Sequence, residues 1–201
     1  MSRKSLSTQN RILEAACKLL LSNDGKGVKM ADIARESGLT RQAVYLHFGN
    51  RTELLVQAVR HADAKLDVDS RLDCYRRRRS GLEGLRAFIE FWGSYIPEIY
   101  GIARALRLSK EKDEAAQAAW DDRMSAVRGL CLEITTELSR EGSLLGEWST
   151  EQAADALWAL LSIANWEQLT QQRGWSNEQY IEAMRRMAFA SFTKGTRGVA
   201  L

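Results

Sequence analysis

Apolar residues recur along this chain three and four apart, the spacing that lines one face of a helix. Ile12, Ala15, Ala16, Leu19 and Leu20 predict a first helix over residues 8–22, ended by Asn23-Asp24-Gly25. Met30, Ile33 and Ala34 predict a second over 30–37, closed by Gly38. A third follows at once with Thr40 as its N-cap, and a fourth starts at Asn50 with Glu53 three residues on. Beyond residue 66 the pattern lengthens. Leu85, Phe88, Ile89, Trp92 and Tyr95 form a stripe that should stop at Pro97, and a short segment over 98–108 leads into a loop at Ser109-Lys110-Glu111-Lys112. Trp120, Met124, Val127, Cys131, Ile134 and Leu138 make a helix seam. Ser149 with Gln152, and Ser176 with Gln179, match the capping box and open helices over 150–172 and 177–193. The expected fold is all-α with about nine helices: a helix-turn-helix head over 1–51 and a helical body over 52–201, whose first helix, 52–66, links the two.

Composition agrees. The chain has 201 residues, 45% hydrophobic and 27% charged, with a single proline, which describes a globular helical protein. Cys17, Cys74 and Cys131 are too few and too scattered for a disulfide framework. The polar start MSRKSLSTQNR lacks the apolar core of a signal peptide, and the uncharged run 156–166 is only 11 residues long. A membrane-spanning helix needs about 20. No membrane association and a cytoplasmic location are expected. Charge changes the picture more. Residues 1–51 carry a net +5 and the remainder −2. A basic head on a near-neutral body suits an anionic partner.

The stretches "TQNRILEAACKLL" and "MADIARESGLTRQAVYLHFGNRTELLVQAV" resemble the N-terminal DNA-binding domain of the TetR (tetracycline repressor) family of bacterial regulators. The likeness rests on Asp32-Ile33-Ala34, Gly38-Leu39-Thr40, Val44-Tyr45-x-His47-Phe48 and Asn50-Arg51-x-Glu53-Leu54-Leu55, and covers residues 8–60. The body resembles the family in layout, and "ALWALLSIANWEQLTQQRGWSNEQY" looks like its eighth helix and following turn. The resemblance implies a dimer, a palindromic double-stranded operator and release by a small molecule.

The residues support this independently. At 100° per residue, Val44 and Phe48 face inward on the third helix, while Gln42, Ala43 and Leu46 face out. Arg41 matches guanine O6 and N7, Gln42 matches adenine N6 and N7, and Ala43 and Leu46 suit a thymine methyl. Tyr45 and His47 are assigned to phosphate oxygens, as the matching family positions imply; a gap-filling Tyr45 and a plain surface His47 remain open. Arg51 in the first turn of the fourth helix, Thr8 at the start of the first and Lys29 at the start of the second complete the phosphate set, with Thr40 beside them. Lys29 departs from the Ser or Thr that many members have there.

In the body, Phe88, Trp92, Tyr95, Trp120, Met124, Cys131 and Trp166 are the candidate lining of an effector pocket, with Arg104 and Asn165 to orient a polar group. Their plain alternative is an ordinary core. The last two long helices are apolar on several sides, so a second copy is expected to cover them as a homodimer through Trp158, Leu161, Tyr180, Met184 and Met187. Arg76–Arg79 read as a solvated connector. An enzyme is not expected: no Glu-x-x-His pair, GxSxG or phosphate loop occurs, and no metal or cofactor is implied. The expected effector is apolar or aromatic. The competing readings are a DNA-binding protein without an effector and, further off, a helical small-molecule-binding protein or enzyme.

Overall fold

The computed structural model describes residues 3–194. Among them there is no β-strand, and nine helical elements have six residues or more, as the periodicity predicted. The order is α1 (Arg3–Ser22), α2 (Met30–Glu36), α3 (Arg41–His47), α4 (Arg51–Lys65), the single turns α5 (Val68–Arg71) and α6 (Asp73–Arg76), α7 (Gly81–Ser109), α8 (Glu114–Arg140), α9 (Thr150–Leu160), the turn α10 (Ile163–Trp166), a π-helix (Glu167–Gln172) and α11 (Asn177–Phe192). The side chain of Cys74 lies outside the described residues.

The chain forms two compact units. One holds residues up to Val68 together with Glu98–Arg123; the other holds Asp69–Pro97 and Met124 onward. The first is built on Ile12, Ala16, Leu20, Ile33, Val44, Phe48, Leu54 and Ala58, joined by Ile102 and Leu106 from the second half of α7. The end of α1 and α7 meet closely here. A Cβ on Gly101 would stand 2.1 Å from the carbonyl oxygen of Leu20, so only glycine fits. Beside it, Arg104 Nη1 donates to the carbonyl of Asp24 at 3.0 Å.

The second unit departs from expectation in three places. The stripe of α7 does not end at Pro97; the helix runs on to Ser109. Proline has no N–H to give the carbonyl of Gly93 one turn back. Asn177 fills the gap: its Nδ2 donates to Gly93 O at 3.1 Å, while its Oδ1 accepts the Trp166 indole N–H at 3.0 Å. The single helix expected over 150–172 is broken after Leu160. Ser162 is extended and caps α10 by accepting the Asn165 N–H at 3.3 Å. The carbonyls released by the break find donors in side chains. Asn165 Nδ2 reaches Ala159 O at 2.9 Å and Leu160 O at 3.1 Å, and the Trp92 indole N–H reaches Leu161 O at 2.6 Å. The run Arg76–Arg79 is also no mere solvated link. Arg78 is half-buried, its Nε 2.6 Å from Glu137 and its guanidinium 4.1 Å from the Tyr75 ring, while Arg76 pairs with Asp69 at 2.9 Å.

A double-mutant cycle tests the account of Pro97. Asn177→Ala removes both of these hydrogen bonds and should cost about 2 kcal/mol in urea unfolding. In a Pro97→Ala background residue 97 regains an N–H for Gly93 O, so the penalty should fall by roughly half. Equal costs in the two backgrounds would remove Asn177 from this role.

Candidate nucleic-acid interface

The head presents α3 by fixing both of its ends. After α2 the chain turns within four residues, 37–40. Leu39 N–H bonds Ala34 O at 2.9 Å and Gly38 N–H bonds Arg35 O at 3.1 Å, the pair of bonds that closes a helix on a left-handed residue. Gly38 supplies it, at φ +65. Thr40 then caps α3, its Oγ1 accepting Ala43 N–H at 3.1 Å. At the other end Phe48 N–H closes on Val44 O at 2.9 Å. Asn50 Oδ1 accepts the Glu53 N–H at 2.8 Å. The Glu53 carboxylate returns to Gly49 N–H at 2.9 Å, one residue earlier than in a standard capping box.

Between these stops Val44 and Phe48 are fully buried, so the opposite face is turned to solvent. Arg41, Gln42, Tyr45 and Leu46 are exposed and Ala43 and His47 half-buried. Leu46 is 82% exposed, a position no core requirement explains. The Arg41 guanidinium lies 5.5 Å from the Tyr45 ring centroid. The helix thus shows a cationic fork, an amide, a phenol and an apolar tip side by side, the chemistry that base edges and phosphates accept.

The remaining phosphate candidates are spread around this face. Lys29 is exposed before α2, where the Asp32 carboxylate accepts its N–H at 3.0 Å. Thr8 does not begin α1, which starts at Arg3; it sits half-buried in the second turn. Arg51 is half-buried and donates from Nη1 to Ser109 Oγ at 3.1 Å. Burial lowers its pKa from the usual value. Next to it Thr52 Oγ1 donates to Asp113 Oδ2 at 2.6 Å. Asp113 also caps α8 through the N–H groups of Ala115 and Ala116, and the Thr52 hydroxyl together with these N–H donors holds its carboxyl below the usual value. Ser109 and Asp113 escaped the sequence reading. An Asp opening a helix is a legible cap, but Ser109 lies 58 residues from its partner and carries no local signal.

The candidate effector residues divide between the units. Arg104 and Trp120 belong to the first; Phe88, Trp92, Tyr95, Met124, Cys131, Asn165 and Trp166 belong to the second. There Phe88 stacks on Trp92 and Tyr95 lies tilted against it, with centroids 6.4 and 5.9 Å apart, and Cys131 is fully buried. Of the residues assigned to a partner copy, Leu161, Tyr180 and Met184 are already covered within the one chain. Trp158 stays half-buried and Met187 is 41% exposed.

Residues 12–58 match the description "Bacterial regulatory proteins, tetR family". The chain is 28% identical over 171 residues to the helix-turn-helix transcriptional regulator TtgR of Pseudomonas putida, a match covering 79% of this chain and 80% of that one. Its fold resembles a Saccharomonospora viridis protein described as a transcriptional regulator in complex with choline, at TM-score 0.81 and 18% identity over 94% of this chain and 99% of that one. It also resembles the transcriptional regulator FadR of Bacillus subtilis in complex with stearoyl-CoA, at TM-score 0.72 and 13% identity over 90% and 97%. No helix of the described residues is long and apolar enough to cross a membrane. The helix-turn-helix geometry and the matched residues together make the head of this chain similar to the bacterial regulatory proteins of the tetR family.

Proposed function

We propose that the protein acts as a homodimeric repressor that holds a palindromic operator through α3 and lets go when a small molecule enters its body. The outward set Arg41, Gln42, Tyr45 and Leu46 carries this reading. Ala43 adds a small apolar contact, Thr40 keeps a hydroxyl proton to donate, and His47, Lys29, Thr8 and Arg51 hold the backbone. Two copies would set two α3 helices about 34–36 Å apart, one turn of DNA. Trp158 on α9 and Met187 on α11 leave apolar surface that supports pairing of identical faces. The work belongs in the cytoplasm, at the nucleoid.

The effector reading rests on the aromatic series Phe88, Trp92 and Tyr95 and suits an apolar or aromatic compound. A ligand that prefers one body shape shifts DNA affinity by its differential binding, typically about 1–3 kcal/mol. One observation favours a second reading, a regulator without an effector. The same rings pack on one another, and the side-chain amides of Asn165 and Asn177 are taken by backbone carbonyls.

Selection of genomic fragments by the purified protein tests the main reading; recovered sites should be palindromes with half-sites one turn apart. On such a site Gln42→Ala should relax preference at one base pair by about 1–3 kcal/mol. Arg51→Ala should weaken all sequences alike and flatten the salt dependence. Uniform loss from Gln42→Ala across base substitutions would take it out of the readout. A thermal-shift screen against apolar and amphipathic metabolites separates the two readings: stabilisation that grows with concentration identifies an effector, and uniform absence of stabilisation supports the second.

A further inference from the structure

Arg51 is an unusual cation for a protein surface. It is half-buried, and among the described residues its guanidinium has a hydroxyl partner and no ion pair with a carboxylate. Burial alone lowers its pKa, the mark of a charge that has lost water without gaining an anion. Such a group is poised to take one.

Its hydroxyl partner is fixed. Ser109 is the last residue of α7 and donates its own proton to Ala105 O at 2.9 Å. That bond leaves the oxygen lone pairs to accept Arg51 Nη1 at 3.1 Å. The neighbouring pair, Thr52 to Asp113 at 2.6 Å, ties the same turn of α4 to the first turn of α8. Both partners lie outside the helix-turn-helix segment but inside the same compact unit.

We infer that Ser109 is a positioning residue for DNA binding: it grips one edge of the Arg51 guanidinium and leaves the other edge aimed at a DNA phosphate. This rests on the operator-binding reading above. A free arginine gives up side-chain entropy each time it meets a phosphate; one already held by Ser109 has lost that freedom before the DNA arrives. The hydroxyl suits the task better than a carboxylate, which would neutralise the charge the phosphate needs.

The test is a salt series of fluorescence anisotropy on a mixed-sequence duplex of about 30 base pairs, with a thermal unfolding midpoint for each protein. Ser109→Ala should weaken binding about tenfold at low salt. The slope of log affinity against log salt should stay at the wild-type value in Ser109→Ala, which keeps the cation, and fall by about 0.9 in Arg51→Ala. Ser109→Thr, which keeps the hydroxyl, should restore the affinity. In an Arg51→Ala background Ser109→Ala should change nothing further. An unchanged affinity in Ser109→Ala, or an affinity loss that only follows a fall in the unfolding midpoint, overturns the role of Ser109 while wild-type binding stands. A wild-type protein that ignores the duplex at every salt concentration overturns the operator-binding reading and this role with it.

Discussion

A helix of seven residues does not hold itself together, because isolated helices shorter than about 12–15 residues are marginal in water. α3 exists only because Val44 and Phe48 are driven into the core that α1, α2 and α4 complete. That burial supplies the stability the local hydrogen bonds lack, since each large side chain removed from water contributes roughly 1.5–3 kcal/mol. It also decides which residues remain outside. With Val44 and Phe48 committed inward, the helix has one other face to show, and Arg41, Gln42, Tyr45 and Leu46 occupy it. The turn at Gly38 and the caps at Thr40 and Asn50 then set where that face begins and ends.

The second unit is governed by the obligation to pair buried carbonyls. Two irregularities, Pro97 within α7 and the break after Leu160, leave backbone acceptors without their helical donors. Trp92, Asn165 and Asn177 answer them. Trp92 and Asn165 are among the residues expected to meet an effector, and here their polar atoms serve the backbone. An unpaired buried carbonyl costs about 1–3 kcal/mol, more than most surface interactions contribute.

What could be read from the sequence follows the range of each interaction. The all-α class, the helices of the head and the caps at Thr40, Asn50, Ser149 and Ser176 depend on residues three or four apart, and each left its mark in the chain. The outward face of α3 followed from the burial of Val44 and Phe48 by simple rotation. Pro97 misled, because the residue that rescues Gly93 O lies 84 positions away. Ser162 misled for the same reason: serine is tolerated within helices, and only the indole of Trp92 and the amide of Asn165 make the break tolerable. Arg51 was placed correctly on α4, but its partner Ser109 could not be paired with it by any local rule.

Asp113 has two duties at once: its Oδ1 closes the start of α8, and its Oδ2 takes the hydroxyl of Thr52 in the first turn of α4. Two helix ends separated by 61 residues are therefore joined through a single carboxyl group. Opening one loosens the other, and backbone amides near residues 52 and 115 should lose protection against hydrogen exchange together.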